Sequence, residues 1–128
     1  MSVSGADLQD VARRTARVLD AVSDGYPFTD TLLVYKVCGR VFLVVTEDPR
    51  DPLITVKIDP AFAGDLVRRD ESISPGRYFD KRHWVSVGPG PGVTEDLVES
   101  LVQDSYDIVV DSLPRRDRDR IDRHLGGR

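Results

Sequence analysis

The chain has 128 residues, of which 40% are hydrophobic and 31% charged, and its formal net charge is −4. This length suits one domain, and the composition supports one core and does not mark the chain as disordered. No run of about 18 apolar residues is present, and the N-terminus lacks the basic start and apolar stretch of a signal peptide. With Cys38 as its lone cysteine, the chain is expected to be a cytoplasmic protein without a membrane span.

The charge is distributed unevenly along the chain. Residues 114–128 contain six arginines and three aspartates, a balance of +3, whereas the rest contains 12 basic and 19 acidic residues, a balance of −7. An acidic body does not attract a phosphate backbone over long range, so binding to nucleic acid requires a local basic patch. Arginine supplies 15 of the cations, and the three lysines are Lys36, Lys57 and Lys81. Because the two side chains bind anions differently, each lysine is a candidate for a specific role, although chance retention explains them equally well.

The first half of the chain predicts one helix followed by three strands. Apolar residues recur at helical spacing through residues 7–22, and Ser23-Asp24-Gly25 is expected to end that helix. Strands are predicted at residues 31–38, 41–46 and 53–58. Gly39-Arg40 has the pattern of a two-residue hairpin turn. Short connections between consecutive strands favour an antiparallel meander.

The second half begins with a predicted helix. Asp59 supplies a capping carboxylate, Pro60 suits the first turn, and the helix is expected to end near Arg69. Its expected buried stripe consists of Phe62, Ala63, Leu66 and Val67. Two short strands are then predicted at residues 76–79 and 84–87.

A Gly-Pro-Gly-Pro-Gly segment at residues 88–92 interrupts regular structure, and we interpret it as a spacer because no phosphate-loop pattern accompanies it. Thr94 is expected to cap a final helix that continues to Leu113. This division predicts one domain over residues 1–114 and an Arg/Asp-rich C-terminal tail over residues 115–128. The tail fits either a solvated helix end or a segment that contacts nucleic acid or an acidic partner.

The predicted element order is α-β3-α-β2-α. The helices and strands each carry an apolar stripe that must be buried against another element. An antiparallel sheet with the helices packed on one face is the economical way to bury all of these stripes together. The sequence therefore predicts an α+β fold with two layers.

Five short motifs resemble the MmcQ/YjbR family. They are Val34-Tyr35-Lys36-Val37, Val56-Lys57-Ile58-Asp59-Pro60, Pro75-Gly76-Arg77-Tyr78, Lys81-Arg82-His83-Trp84 and Ser105-Tyr106-Asp107. The resemblance covers about residues 26–114, and the Lys-Arg-His-Trp run is its most specific part. Proteins of this family are small, single-domain and described as DNA-binding through a double-wing motif, with a fold similar to type III secretion chaperones that is also called CyaY-like. The resemblance therefore implies that fold and a DNA-binding role.

The corner formed by Lys81-Arg82-His83-Trp84 is the strongest candidate site. Two permanent cations and a histidine can bind phosphates, and a tryptophan can stack on a base. In the alternative interpretation, Trp84 anchors the core while Lys81 and Arg82 pair with Asp80 or Glu71 in solvent. Both interpretations are compatible with the sequence.

The strand lysines extend this candidate site. Lys36 and Lys57 each interrupt an otherwise apolar strand, and same-face residues of neighbouring strands lie within side-chain reach. We hypothesise a basic pocket on one face of the sheet, formed by Lys36, Lys57, Lys81, Arg82 and His83. The full set of candidate DNA- or anion-binding residues adds Arg77, Tyr78 and Trp84. The alternative is that both lysines lie on edge strands and deter strand pairing.

No catalytic or metal site is predicted. His83 has no nucleophile beside it in a catalytic pattern, and Ser74 and Ser86 lack an oxyanion or elbow motif. A zinc site needs about four ligands, and the other soft candidates are only Cys38 and His124. We therefore expect a non-enzymatic protein without a metal or cofactor.

The leading expectation is a small cytoplasmic DNA-binding protein that contacts phosphates through the sheet corner and the strand lysines. A second candidate is a protein-interaction module, including a homodimer, with a secretion-chaperone-like fold. That candidate predicts an exposed apolar patch instead of a basic one. A third, weaker candidate is a pocket for a small anionic ligand.

Overall fold

The computed structural model describes residues 4–125, with side chains described as far as residue 121. These residues form four helices: α1 (Gly5–Arg17), α2 (Pro60–Arg69), α3 (Glu95–Asp111) and α4 (Arg115–Leu125). The strands in the same part of the chain are β1 (Val22–Gly25), β2 (Leu32–Val37), β3 (Arg40–Thr46), β4 (Leu53–Lys57), β5 (Ile73–Pro75) and β6 (Trp84–Val87). The strands form one antiparallel sheet in the order β1-β2-β3-β4-β6-β5. The predicted α+β class is thereby confirmed.

The first three helices begin close to where the sequence predicts them. Ser4, Asp59 and Thr94 each accept a hydrogen bond from a backbone N–H in the first turn of α1, α2 and α3, respectively. Such a cap satisfies one of the donors that the start of a helix leaves unpaired. Pro60 occupies the first turn of α2, where an N–H would have had no partner. Local side-chain chemistry therefore determines these helix starts.

The prediction for the first helix is wrong at its C-terminal end. α1 ends at Arg17, and Val22–Gly25 is a strand that pairs with β2. The chain turns between them at Ala21, whose φ of +61° lies in the left-handed region. Pairing with β2 satisfies the backbone groups of β1, and this outweighs the helical spacing of Val22.

The turn between β2 and β3 lies one residue earlier than predicted. Its two central residues are Cys38 and Gly39, with φ values of +48° and +80°, and Val37 pairs with Arg40. Positive φ at both positions is the geometry of a type I′ turn, which matches the twist of the flanking strands. Glycine adopts this conformation readily, whereas Cys38 must be held in it by the strand pairing.

The strand predicted at residues 76–79 lies closer to the N-terminus. β5 pairs Ile73 with Val87, and burial of both side chains against the helices fixes this register. The backbone N–H of Gly76 donates a last bond to the carbonyl of Trp84 at 2.8 Å. Residues 76–83 then leave the sheet and cross its other face, and we call them the wing loop.

The predicted apolar stripe of α2 is only partly buried. Ala63 is the residue of α2 that is fully buried, whereas the Phe62 side chain is 60% exposed. The helix contacts the outer strands β5 and β6, which offer a narrow surface. The apolar face that the sequence predicts for α2 is wider than the surface that these two strands offer. The part of the face that carries Phe62 therefore remains exposed.

The segment that follows Pro114 is not only a charged tail. Residues 115–125 form α4, and Ile121 is 1% exposed within the main core. The side chain of His124 and residues 126–128 lie outside the described part of the chain. Across residues 4–125, no helix combines the length and the apolar composition that a bilayer span requires.

The main core lies between the sheet and the helices. The strand side chains that face the helices are Leu33, Tyr35, Val37, Leu43, Val45, Ile54, Val56, Ile73, Val85 and Val87. A bulge in β3 adds Phe42, which is fully buried with its ring edge-on to Tyr106 at a centroid distance of 5.4 Å. The Ser105 hydroxyl donates to the carbonyl of Phe42 at 2.6 Å and accepts from the N–H of Lys57 at 2.8 Å. α3 is thus fastened to two adjacent strands through one side chain.

Candidate nucleic-acid interface

The second face of the sheet, opposite the helices, carries both strand lysines. The neighbours Tyr35 and Val56 belong to the core on the helix side, so alternation turns Lys36 and Lys57 to the other side. Lys57 pairs across β4 and β6 with Trp84, which therefore lies on the same face. Because β3 separates β2 from β4, the backbones of the two lysines are about 10 Å apart.

Trp84 is packed beneath the wing loop. It is 8% exposed, and the ring of Phe79 stacks on it with a centroid distance of 4.3 Å and an interplanar angle of 29°. The Lys57 ammonium lies 6.0 Å from the centroid of the indole ring. At that distance the cation gains a weak attraction to the ring face. Trp84 therefore anchors a second, smaller apolar layer, and Phe79 is the ring that lies over it.

Hydrogen bonds fasten the wing loop onto the second face. The hydroxyls of Tyr78 and Thr46 are 2.8 Å apart, and the backbone N–H of Arg77 donates to Ser86 Oγ at 3.2 Å. Ser86 in turn shares a hydrogen bond of 2.8 Å with Thr55. The buried polar side chains of this face are thus paired with each other and with the loop, which fixes the position of Tyr78.

An aromatic cleft of approximately 420 Å³ opens on this face. Its lining residues are Phe28, Leu32, Val44, Tyr78 and Phe79. The side chain of Phe28 is 62% exposed and that of Tyr78 is 37% exposed. Tyr78 belongs to the predicted set of binding residues, whereas Phe28 does not, because its only local signal is that of an aromatic residue in a polar loop. We call this feature the aromatic cleft.

A polar brace holds the loop that carries Phe28. The carboxylate of Glu47 accepts hydrogen bonds from the Tyr26 hydroxyl at 2.6 Å and from the Arg13 guanidinium at 2.7 Å. The backbone N–H of Glu47 donates to the carbonyl of Thr31 at 2.7 Å. Residues 26–31 are thus tied at both ends to the end of β3. Phe28 forms one wall of the aromatic cleft, and its position depends on these contacts of Glu47.

We expect replacement of Glu47 by glutamine to lower the free energy of unfolding by about 0.5–1 kcal/mol at neutral pH, since partly exposed ion pairs contribute about that much. Burial opposes ionisation of Glu47, but the hydrogen bonds from Tyr26 and Arg13 outweigh it and hold its pKa below the ordinary 4.5. A lowered pKa in the folded state means that the stabilisation is complete above pH 4.5 and is lost as the pH falls through the folded pKa. Urea unfolding at several pH values should show wild type and Glu47→Gln converging below pH 4.5. A gap that widens toward acid pH would contradict this assignment.

The cations of the wing loop differ in what they contact. The guanidinium of Arg77 pairs with Asp51. His83 Nδ1 lies 2.8 Å from Asp80 Oδ2, and the backbone N–H of Arg82 donates to the same carboxylate. The hydrogen bond from the Arg82 backbone is the largest cause and the contact with His83 the next, and both lower the pKa of Asp80.

The side chains of Lys81 and Arg82 are exposed and form no ion pair within residues 4–121, and neither Asp80 nor Glu71 binds them there. Within the wing loop, the charged groups most able to bind an external anion are therefore Lys81 and Arg82 at its tip.

The predicted cations are dispersed, and the two strand lysines line different cavities. Lys36 lines a cavity of approximately 330 Å³ beside β1, together with Asp24 and Tyr26. Lys57 lines a separate groove between α2 and α3. Within residues 4–121, no three histidine, cysteine, aspartate or glutamate residues are grouped so that they could hold a metal ion. The structure thus brings Lys57 close to Trp84 and leaves Lys36 two strands away.

Comparison with known proteins identifies the family. The model of the YjbR family matches residues 17–108 of this chain. The chain belongs to the YjbR family. YbdF of Escherichia coli O157:H7 is 36% identical over 114 residues, which cover 89% of this chain and 93% of YbdF. YjbR of Escherichia coli K12 is 29% identical over 83 residues, which cover 65% of this chain and 70% of YjbR.

Solved structures show the same architecture as this YjbR-family chain. The Deinococcus radiodurans protein DR2400, described as a DUF419 domain, superimposes with a TM-score of 0.77 at 26% identity, covering 92% of this chain and 87% of that one. A Pseudomonas syringae protein superimposes with a TM-score of 0.65 at 18% identity, covering 83% and 98%. The second likeness supports the fold alone.

The motifs that predicted YjbR membership have mainly structural contacts. Ser105 bridges β3 and β4, and the Tyr106 hydroxyl donates to the carbonyl of Asp20 at 2.7 Å. Burial, the largest cause, raises the pKa of Tyr106 to about 12, so its hydroxyl stays protonated and remains a donor. Gly76 passes close to Trp84 where the wing loop begins. These family positions therefore stabilise the wing loop and the sheet that supports it.

Proposed function

We propose that this YjbR-family protein binds DNA at the aromatic cleft. A base would stack against Phe28 and Tyr78, while Lys57, Lys81 and Arg82 contact phosphates. The observation that carries this proposal is the pairing of an exposed aromatic cleft with a loop whose tip residues Lys81 and Arg82 form no ion pair within residues 4–121. Loop 26–31 and the wing loop flank the cleft, which agrees with a double-wing description. In this proposal the protein is cytoplasmic and non-enzymatic.

The cleft favours single-stranded over duplex DNA. Its aromatic side chains offer ring faces, and bases inside a duplex are already stacked on each other. Stacking of an unpaired base on an aromatic side chain is worth about 1–3 kcal/mol and depends little on sequence. We therefore expect a preference for single strands with weak sequence selectivity.

The acidic body limits the strength of this binding. Residues 1–113 carry a balance of −7, so long-range attraction is absent and the local cations act only at short range. Each phosphate contact to a single strand adds about 0.7 to the slope of log affinity against log salt. The expected binding is weak at physiological salt and becomes measurable at low salt.

Fluorescence anisotropy with a labelled single strand of about 12 nucleotides tests the proposal over salt concentrations of about 50–200 mM. The double variant Lys81→Ala/Arg82→Ala should reduce the salt slope by about 1.4, because two phosphate contacts are lost. Phe28→Ala should weaken binding about tenfold at an unchanged slope, since it removes stacking and no charge. Phe28 is largely exposed, so this variant is expected to fold normally.

A matched control for charge is Arg115→Ala/Arg116→Ala on α4, which removes the same two cations from exposed positions. This control should retain both affinity and slope. If it loses as much as the wing-loop variant, α4 or non-specific charge carries the binding and the cleft does not. Absence of binding at about 50 mM salt would overturn the proposal.

A second candidate function uses the same cleft for a protein partner. Its lining is apolar, and Phe28 and Tyr78 together form an exposed aromatic patch of the kind found at interfaces. If the partner is a second copy, light scattering should give a mass above that of a monomer, and Phe28→Ser should restore the monomer. A monomeric wild-type protein that binds single-stranded DNA would favour the first candidate.

A further inference from the structure

The helix side of the molecule contains a second opening, a groove of approximately 520 Å³ between α2 and α3. Its apolar lining comes from Ile58, Phe62, Leu66, Leu97, Leu101 and Ile108. Phe62 is the most exposed of these side chains, at 60%. We call this feature the α2–α3 groove.

The groove exists because the two helices pack on different parts of the sheet. α3 packs on α1, β3 and β4, whereas α2 packs on β5 and β6. The end of β4 and the residue after it, Ile58, lie between the two helices and form the floor. The helices that cover this side of the sheet pack against each other elsewhere, but a gap remains between α2 and α3.

The shape of the groove fits a helix. The α3 residues at positions 97, 101, 104, 108 and 111 all line it, and their spacing of four and three residues defines a straight stripe along the helix. Fourteen residue steps of an α-helix span about 21 Å, which equals about four turns of an incoming helix. The α2 side chains at positions 62, 65, 66 and 69 form the facing wall. In a partner helix that lies along the groove, about two of every seven side chains would point at the groove floor, and these side chains would be apolar.

The rim of the groove is acidic. Five aspartates line it, at positions 59, 65, 104, 107 and 111, against Lys57 and Arg69, which leaves a balance of −3. The Lys57 ammonium lies beside the Trp84 ring on the other face of the sheet, so Arg69 is the cation that remains on the groove side. Asp65 is paired with Arg68 and Arg69, whereas Asp104 and Asp111 form no ion pair within residues 4–121. Burial, the largest cause, together with repulsion from Asp104 and Asp111, raises the pKa of Asp107 against the lowering effect of a hydrogen bond from Gln103. A cation bound along this side of α3 would relieve that repulsion.

We propose that the α2–α3 groove docks a basic amphipathic helix from another protein. The apolar side chains of that helix would contact Phe62 and Leu101, and its lysines or arginines would pair with Asp104 and Asp111. Charge complementarity identifies the occupant, because DNA and acidic segments are repelled by the same rim. The Arg-rich helix α4 of a second copy fits less well, since Ile121, its apolar residue among the described side chains, is already buried in its own core. The proposal concerns the opposite side of the sheet from the aromatic cleft and does not depend on DNA binding.

A designed peptide tests this proposal on the full-length protein. The probe is a fluorescently labelled helix of about 14 residues made of leucine and lysine, with the leucines on one face. Anisotropy at about 150 mM salt, where long-range attraction is screened, should show binding about tenfold tighter than that of a peptide of the same composition with scrambled order. A leucine–glutamate peptide with the same pattern should not bind.

Matched variants locate the binding site. Asp104→Asn/Asp111→Asn and, separately, Phe62→Ser should each weaken binding of the patterned peptide about tenfold. The control pair Asp30→Asn/Asp96→Asn removes the same charge at exposed positions outside the groove and should change affinity less than about twofold. All three proteins alter exposed side chains, and their unfolding transitions verify that they fold.

Three outcomes would overturn the proposal: equal binding of the scrambled peptide, equal loss in the control pair, or no binding at all. Light scattering adds a fourth, because self-association that Asp104→Asn/Asp111→Asn abolishes would assign the groove to a second copy. The single-strand titration of the same variants keeps the two proposals separate. If a groove variant loses peptide binding but binds DNA normally, the result bears on the α2–α3 groove and leaves the DNA-binding proposal untouched.

Discussion

Replacing Ser105 by alanine is expected to lower the free energy of unfolding by about 2–4 kcal/mol, because two buried backbone groups lose their partner. The Ser105 hydroxyl serves the carbonyl of Phe42 and the N–H of Lys57 and is fully buried. The Phe42 carbonyl belongs to the bulge in β3, so strand pairing is already irregular there. No water can replace the hydroxyl without opening the packing of α3 on the sheet.

Urea unfolding of three variants measures this effect. Tyr106→Phe on the same helix removes one hydroxyl that serves one carbonyl, and we expect a loss of about 1 kcal/mol. Ser100→Ala, also on α3 but exposed, should stay within about 0.5 kcal/mol of wild type. If Ser105→Ala costs no more than Tyr106→Phe, the bridge between β3 and β4 does not contribute as described.

The second large effect is expected at Gly76, where the wing loop leaves the sheet. A methyl group on this residue would lie 2.5 Å from Trp84 Cβ and 2.9 Å from the backbone carbonyl of Trp84. Backbone atoms in a paired strand cannot move aside, so the loop must shift. Overpacking of this kind costs about 1–3 kcal/mol, and we expect Gly76→Ala to lie at the upper end of that range.

Trp84 provides the measurement for this variant, since it is the single tryptophan of the chain. Displacing the wing loop should expose its ring and shift its emission to longer wavelength in the folded state. The matched control is Gly64→Ala in the exposed part of α2, where the methyl group meets only the end of the Arg68 side chain at 3.3 Å. That change should stabilise the helix by up to about 1 kcal/mol. Unchanged stability and emission in Gly76→Ala would contradict the close contact with Trp84.

The elements that were predicted correctly are those encoded by local chemistry. The caps at Asp59 and Thr94, and the apolar runs that form β2, β3 and β4, need no distant partner. β1 was missed because its strand character comes from pairing with β2, and Val22 also fits the helical pattern. One interpretation of residues 115–128 was a solvated helix end, but α4 as a separate docked helix was not predicted. A mixed Arg/Asp sequence carries little apolar signal, and the docking depends on Ile121.

The candidate site was predicted only in part for a similar reason. Strand alternation correctly places Lys36 and Lys57 on one face, since it needs only the two-residue period of a strand. The aromatic cleft combines Phe28 with a loop about 50 residues away, and the α2–α3 groove combines aspartates from two separate helices. Such combinations depend on the tertiary fold and leave no short-range pattern in the sequence.

The two outermost strands of the sheet have a consequence for how copies of this protein can meet. β1 has four residues and β5 has three, and β5 ends in Pro75, which has no N–H to donate to a neighbouring chain. A short edge strand, or an edge strand that contains proline, is a poor template for adding a strand from another molecule. Edge-to-edge pairing of two copies into one continuous sheet is therefore disfavoured at both ends of the strand order.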